Sequence, residues 1–279
     1  MSDRGICLLG VAPMRKTADH RSEMVNQLLF GDIVRITDYR NDWMHIEMAE
    51  DGYRGWMSKN QLQLLKESDY SALMNGKRMI TTSLHGVVTV KSTNKDFKYM
   101  SANKGVGIGL TEPDAENFIV SAGSTIYLNS SEDMIVAGKV FKYGGNLKEG
   151  IGKQKKQIPE LASRFHLTPY LWGGRSAFGI DCSGFAQLVY KMAGICIPRD
   201  AALQAQEGES VHLISEAEPG NLVFFDNEEG VITHVGIFLD NNNVIHAHGK
   251  VRLDKIDHQG IFNIDDKKYT HKLRIIKRF

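Results

Sequence analysis

Residues 179–186 read GIDCSGFA, and the fold turns on why a cysteine stands between Asp181 and Ser183. Upstream, PYLWGGRSAF (169–178) has the aromatic, glycine-rich composition of a loop that packs closely against a surface. Downstream, GFAQLVYKMAGI (184–195) spaces Phe185, Leu188, Val189 and Met192 three to four residues apart, the period of an amphipathic helix. Asp181 or Ser183 caps that helix, which puts Cys182 at or inside its first turn. Unpaired N–H groups and the helix dipole stabilise a thiolate there, so the sequence predicts a lowered Cys182 pKa and selective alkylation. A free cysteine is as commonly a small buried hydrophobe. The position alone leaves both readings open.

The 279-residue chain is long enough for two or three domains with separate cores. At 42% hydrophobic and 24% charged, the composition is globular. Thirty-four basic and 33 acidic residues give a net charge of +1, so no overall field points to nucleic acid or an anionic membrane as partner. The runs KQKKQ (153–157) and HKLRIIKRF (271–279) read as solvated surface, the latter also as a closing strand. No apolar run approaches the roughly 18 residues of a membrane span, and MSDRGICLLGVAPM (1–14) does not read as a secretory signal. Cys7, Cys182 and Cys196 are too few for a disulfide framework and fit a reducing, cytoplasmic setting, with a periplasmic or secreted one the alternative if the natural chain carries a signal peptide. With no CxxC pair, a structural zinc site of the usual spacing is not expected.

Three segments differ in texture. Residues 1–66 hold short alternating runs, DIVRITDYR, DWMHIEMAE and GYRGWMS, expected to form a small all-β barrel. Residues 67–148 repeat the pattern in GVVTVKS, NFIVSAGSTIYLN and DMIVAGKVFKYGG, a second small β unit whose GVGIG (105–109) reads as a turn or bulge. Residues 149–279 begin with the helical IPELASRF, with Pro159 in its first turn, and continue into the Cys182 helix. The strands EPGNLVFFD, THVGIFLD, NNVIHAHG and KLRIIKRF follow, the order of an α+β domain.

Thiol chemistry needs a base and a group that orients the base. Of ten histidines, His45 sits on a strand of the first β unit, and His166, His258 and His271 have no special setting. His234 opens one strand and His246 lies in the next, across a DNNN turn that brings antiparallel neighbours together. One imidazole can then hold the tautomer of the other. His248 shares a strand face with His246, so a rival metal site of His234, His246 and His248, with Cys182, is conceivable. It leaves the DCSGF helix start unexplained.

YLWGGRSAFGIDCSGFAQLVY, HVGIF and VIHAHGKVRLD, in that order, resemble the NlpC family of papain-like cysteine peptidases over residues 158–279. The resemblance implies Cys182 as nucleophile, His234 as general base, His246 as third member and Tyr170 as the oxyanion-side tyrosine, with no cofactor and no metal. HAHG replaces the usual HASG, placing His248 two residues past His246. PMR and GYRGWM resemble a bacterial SH3 domain over residues 10–60, and residues 78–145 resemble one loosely.

In three-domain members two such units precede the peptidase, and the first walls off one end of the cleft. By resemblance Glu23, Tyr53, Asp181 and Ser183 would hold the free amine of an N-terminal L-alanine, with Asp200 a further site residue or a helix cap. That implies hydrolysis of the γ-D-glutamyl-L-diamino acid bond, L-lysine or diaminopimelate, in murein peptides, releasing L-Ala-D-Glu; the sequence does not fix the oligomeric state, and a monomer is the favoured reading. Competing readings are a hydrolase of intact wall with SH3 units as wall-binding modules, an inactive wall-peptide-binding protein, and acyl transfer to lipids by a related fold.

Overall fold

Alternating apolar and polar residues produce strands where the sequence predicts them. DIVRITDYR gives Ile33–Arg40, DWMHIEMAE gives Trp43–Met48 and GYRGWMS gives Arg54–Ser58. The computed structural model describes residues 3–92, 116–149 and 154–279, so the GVGIG stretch lies outside the described residues. The first unit is a seven-stranded antiparallel sheet in the spatial order Met24–Leu29, Val11–Arg15, Arg54–Ser58, Trp43–Met48, Ile33–Arg40, Arg4–Ile6, Gln63–Leu64. Ala12, Met14, Leu28, Val34, Ile46 and Met57 are buried in its core.

Helix α1 (Glu67–Asn75) follows, where only strands were expected. It buries a single residue, Leu73, so it has no apolar stripe for periodicity to detect. The second unit pairs Glu116–Ser121, His85–Ser92, Lys139–Gly144 and Met134–Val136 in one sheet, and Thr125–Leu128, Lys77–Thr81 and Leu147–Glu149 in another. Its Val88, Val120, Ile126 and Phe141 share one core with Ile6, Phe30 and Ile33 of the first unit.

The third unit opens with α2 (Ile158–Ser163), its proline in the first turn, then α3 (Cys182–Met192) and α4 (Ala201–Gln204). Its sheet runs Glu209–Val211, Lys268–Arg278, Leu222–Asp226, Ile232–Phe238, Asn243–His248, Lys250–Ile256, Gly260–Asn263. Phe185, Leu188 and Val189 of α3 pack on Phe224, Val235, Ile237 and Ile245 of this sheet. The closing strand expected at the C-terminal end is Lys268–Arg278, and only its end departs from a solvated run, with Lys277 buried and its Nζ donating to Ser210 Oγ at 3.2 Å.

The helix α3 departs from a surface amphipathic helix: all eleven residues are buried. Its polar stripe, Ser183, Gln187 and Lys191 at intervals of four, faces protein rather than water. Gln187 Nε2 donates to Asp51 at 2.7 Å, and Lys191 Nζ reaches Asp32 at 2.9 Å and Glu50 at 2.8 Å. Arg175, in the loop before α3, pairs with the same Asp32, and Arg78 of the second unit pairs with Glu50 at 2.5 Å. All three units meet in one ionic network. The loop is pressed equally close. Gly173 sits at φ 73°, and a Cβ there would lie 2.2 Å from the Met24 carbonyl oxygen, so only glycine fits.

Burial opposes the charge on Glu50, but Lys191 and Arg78 outweigh it and hold the carboxyl at about 2 against an ordinary 4.5. A carboxyl depressed on folding contributes stability that is full above its unfolded pKa and lost as pH falls through its folded one. Glu50→Gln is expected to cost about 3 kcal/mol at neutral pH, because it leaves buried cations under-compensated. The wild-type advantage should then shrink as pH drops from 4.5 toward 2, read by urea unfolding. An advantage unchanged through that window contradicts the network's electrostatic role.

Candidate active site

The first turn of α3 is built by Asp181, which caps it by accepting from the Gly184 N–H at 2.7 Å. A Cβ on Gly184 would lie 2.3 Å from the Gly174 carbonyl oxygen, so the glycine lets helix and loop touch. The Cys182 sulfur takes backbone N–H bonds from Val235 and Ser183, which sets it against the strand that carries His234. The predicted low pKa is reversed. Burial, followed by the neighbouring Asp181 charge, pushes the thiol up to about 11, more than those two N–H groups and Arg199 pull it down. The dipole argument is local, while the surrounding protein removes the water a thiolate would need.

The Asn241 and Asn242 residues, both at φ 54°, turn the chain tightly between the two histidine strands. His234 Nε2 then lies 2.8 Å from His246 Nδ1, and His246 Nε2 lies 3.0 Å from Asp254 Oδ2. Burial on Asp254 is outweighed by hydrogen bonds from His246, Arg252 and the Ile264 amide, which hold its carboxyl well below the usual carboxylate range. An ionised carboxylate only accepts, so His246 donates from Nε2. His246 is kept neutral chiefly by burial. Its Nδ1 therefore accepts, His234 donates from Nε2, and His234 Nδ1 is left with a bare lone pair. Burial and then the surrounding histidines push the His234 pKa well below 6.5. A neutral thiol faces a strand whose imidazole is neutral and tautomerically fixed.

Sequence reasoning missed two members of this chain. Asp254 stands in the VRLD run, and the register sets Arg252 opposite His246, so strand alternation from that pair points to Asp254. His271, read as having no special setting, stacks on His234 with ring centres 4.3 Å apart and planes 29° apart. Burial, then His246 and His248, lower its pKa to about 4. His248 is exposed, 6.4 Å from His234 and 5.1 Å from His271 by ring centres. For the rival metal reading, no group of three or more His, Cys, Asp or Glu side chains among the described residues is placed to hold a metal ion.

The Tyr170 side chain is half-buried beside the thiol, and its phenol is pushed up to about 12 by burial and then by Cys182 and Asp181. Asp181 departs from the expected open ammonium ligand. Its Oδ1 accepts from Gly184 N, Arg199 Nη1 at 3.0 Å and Ser183 Oγ at 3.3 Å. Its Oδ2 accepts from Arg199 Nη2 at 2.6 Å and Gly173 N at 2.9 Å. Buried Arg199 neutralises it, donates to Ser183 Oγ at 2.8 Å, and reaches Asn26 of the first unit at 2.9 Å. Asp200 does not cap α4 with its side chain; it bonds Tyr53 instead. Burial, and next the Asp200 charge, push the Tyr53 phenol up to about 12, while burial raises the Asp200 carboxyl. Glu23 lies further out, with Oε1 accepting from Trp172 Nε1 at 2.8 Å and Oε2 from Lys16 at 3.1 Å.

Residues 167–271 match the NlpC/P60 family and residues 14–62 the bacterial dipeptidyl-peptidase SH3 domain. The chain carries an NlpC/P60 domain behind an SH3 domain. It is similar to a γ-D-glutamyl-L-lysine dipeptidyl-peptidase of Bacillus subtilis, 29% identical over 79% of this chain and 71% of that protein. A protein of the same name from Bacillus cereus is 25% identical over 81% of this chain and 68% of the relative. An NlpC/P60 family protein from Bacillus cereus shares the fold over 99% of both chains, with a TM-score of 0.80 at 19% identity. The chain is accordingly a hydrolase, a cysteine peptidase.

If Asp254 fixes the tautomers of the NlpC/P60 histidine pair, Asp254→Asn is expected to lower kcat/KM about ten- to a hundredfold, the worth of a charged hydrogen bond of roughly 1.5–3 kcal/mol. Steady-state kinetics on a murein tripeptide reads this, and unchanged kinetics contradict it. For Cys182, iodoacetamide alkylation in the absence of substrate is expected to keep accelerating with pH beyond the ordinary thiol pKa of about 8.5. A plateau reached in the acid range contradicts the buried neutral thiol.

Proposed function

We propose that the chain hydrolyses the bond between γ-D-glutamate and an L-diamino acid, lysine or diaminopimelate, in murein peptides with a free N-terminal L-alanine. L-Ala-D-Glu is the acyl product. The observation that carries this reading is the SH3 unit's closure onto the nucleophile loop, through Glu23 on Trp172 and Tyr53 on Asp200. The names of the two Bacillus relatives support the same bond.

The Cys182 thiol gives its proton to His234 Nδ1 as sulfur attacks the γ-carbonyl carbon. The Tyr170 hydroxyl donates to the developing oxyanion, where a fixed donor is most effective. Collapse of the tetrahedral intermediate breaks the C–N bond, and His234 returns the proton to the leaving amine. Water, deprotonated by His234, then cleaves the thioester and regenerates the thiol. The ammonium of L-alanine is received by Glu23, Asp200 and Tyr53, with Asp181 and Ser183 acting through Arg199 as the frame behind them. A buried ammonium without such partners would be costly.

We also assign the second β unit as SH3-like and the peptidase unit as papain-like. The three unpaired cysteines support a cytoplasmic role on imported peptides. Mass spectrometry of L-Ala-γ-D-Glu-L-Lys digests is expected to show L-Ala-D-Glu and lysine, and no product with Cys182→Ala. Cleavage before the D-glutamate, or an intact tripeptide, overturns the proposal.

A further inference from the structure

A cavity of about 390 Å³ lies where the three units meet, lined by none of the residues placed in the active site. One wall is apolar, formed by Ile33, Met48, Tyr70, Leu73 and Met74. The opposite chemistry comes from the ionic network. Of its members, Arg78, Asp32 and Glu50 line the cavity, with Arg175 and Lys191 paired to the two carboxylates from behind. A third carboxylate, Asp51, stands nearby and accepts from Gln187 at 2.7 Å and from the Tyr53 amide at 3.0 Å, so the charges of the region balance and what the cavity offers is donor geometry.

The guanidinium of Arg78 lines the cavity and uses Nη2 alone, on Glu50, so Nε and Nη1 have no partner among the described residues. Tyr127 lines it too, and its hydroxyl likewise has no hydrogen-bond partner among them. Burial keeps that phenol protonated, a donor. Open planar donors on a guanidinium, a phenol donor beside it and an apolar wall are the complement of one ligand class.

We infer that this cavity is a second ligand site, which takes a small organic carboxylate with its acid on Arg78 and Tyr127 and its apolar body against Tyr70, Leu73 and Met74. Arg presents its donors in a plane that matches a carboxylate, so the charged acid is selected over its neutral isostere. The site is separate from peptide hydrolysis and does not depend on that assignment.

The test titrates the full chain by calorimetry with 4-phenylbutyrate and, in parallel, with neutral 4-phenylbutanamide. One molecule of acid is expected to bind per chain, with the amide at least about tenfold weaker. Arg78→Gln should equalise the two, and Met74→Trp, at an exposed position on the cavity wall, should abolish binding of both. Cys196 lines the cavity and is exposed. Its alkylation by N-ethylmaleimide should therefore slow under saturating acid while that of Cys182 does not. No binding by the wild type, equal affinity for acid and amide, or full binding in Met74→Trp overturns the inference. Should Arg78→Gln fail to fold, the wild-type acid-to-amide comparison and the Cys196 protection still decide it.

Discussion

The Asp32 carboxylate, held between Arg175 and Lys191 with all three side chains at most 4% exposed, fixes where everything else in the site stands. Burying three charges is costly, and a hydrophobic substitute of similar shape would often be as stable. What the triad adds is placement. Arg175 belongs to the loop before the nucleophile, and Lys191 to the last turn of the helix that the nucleophile begins. One carboxylate of the SH3 unit therefore grips both elements that flank Cys182. Small sideways shifts of a nucleophile relative to its substrate are expensive in rate, and this grip removes that freedom.

A second buried ion pair repeats the logic closer to the thiol. Arg199 takes both oxygens of Asp181 and also bonds Asn26 of the SH3 unit at 2.9 Å. The helix cap, the glycine loop and the SH3 unit are thereby one assembly. On the opposite side, Arg252 and Asp254 order two histidines by proton position alone. Charge is used in both places to orient groups that are themselves neutral.

Much of this was legible in the chain. GIDCSGFA announces a capped helix with cysteine in its first turn, and the DNNN turn announces two histidines on neighbouring strands. Both are short-range signals, and both are realised. The stripe Ser183, Gln187 and Lys191 carries the period of a helix face but not the identity of what covers it. A charged face of another domain and bulk water ask for the same residues. The thiol pKa fails for a related reason: a dipole is a local property, whereas exclusion of water is set by residues far away in sequence. His271 was invisible because its place beside His234 depends on Lys268–Arg278 pairing with Leu222–Asp226, a topological fact with no local mark. Asp254 was within reach, two residues beyond the one facing His246.

The proposed function makes the SH3 unit a wall of the active site rather than an appended module, and the substrate's N-terminal amine is the most direct probe of that claim. The decisive measurement is kcat/KM for L-Ala-γ-D-Glu-L-Lys against its N-acetyl counterpart on the wild-type chain. A closed cleft with Glu23, Tyr53 and Asp200 awaiting an ammonium predicts turnover of the free amine and a loss of roughly a hundredfold or more on acetylation. Equal rates on the two peptides would contradict it and return the SH3 unit to a role outside the catalytic cleft.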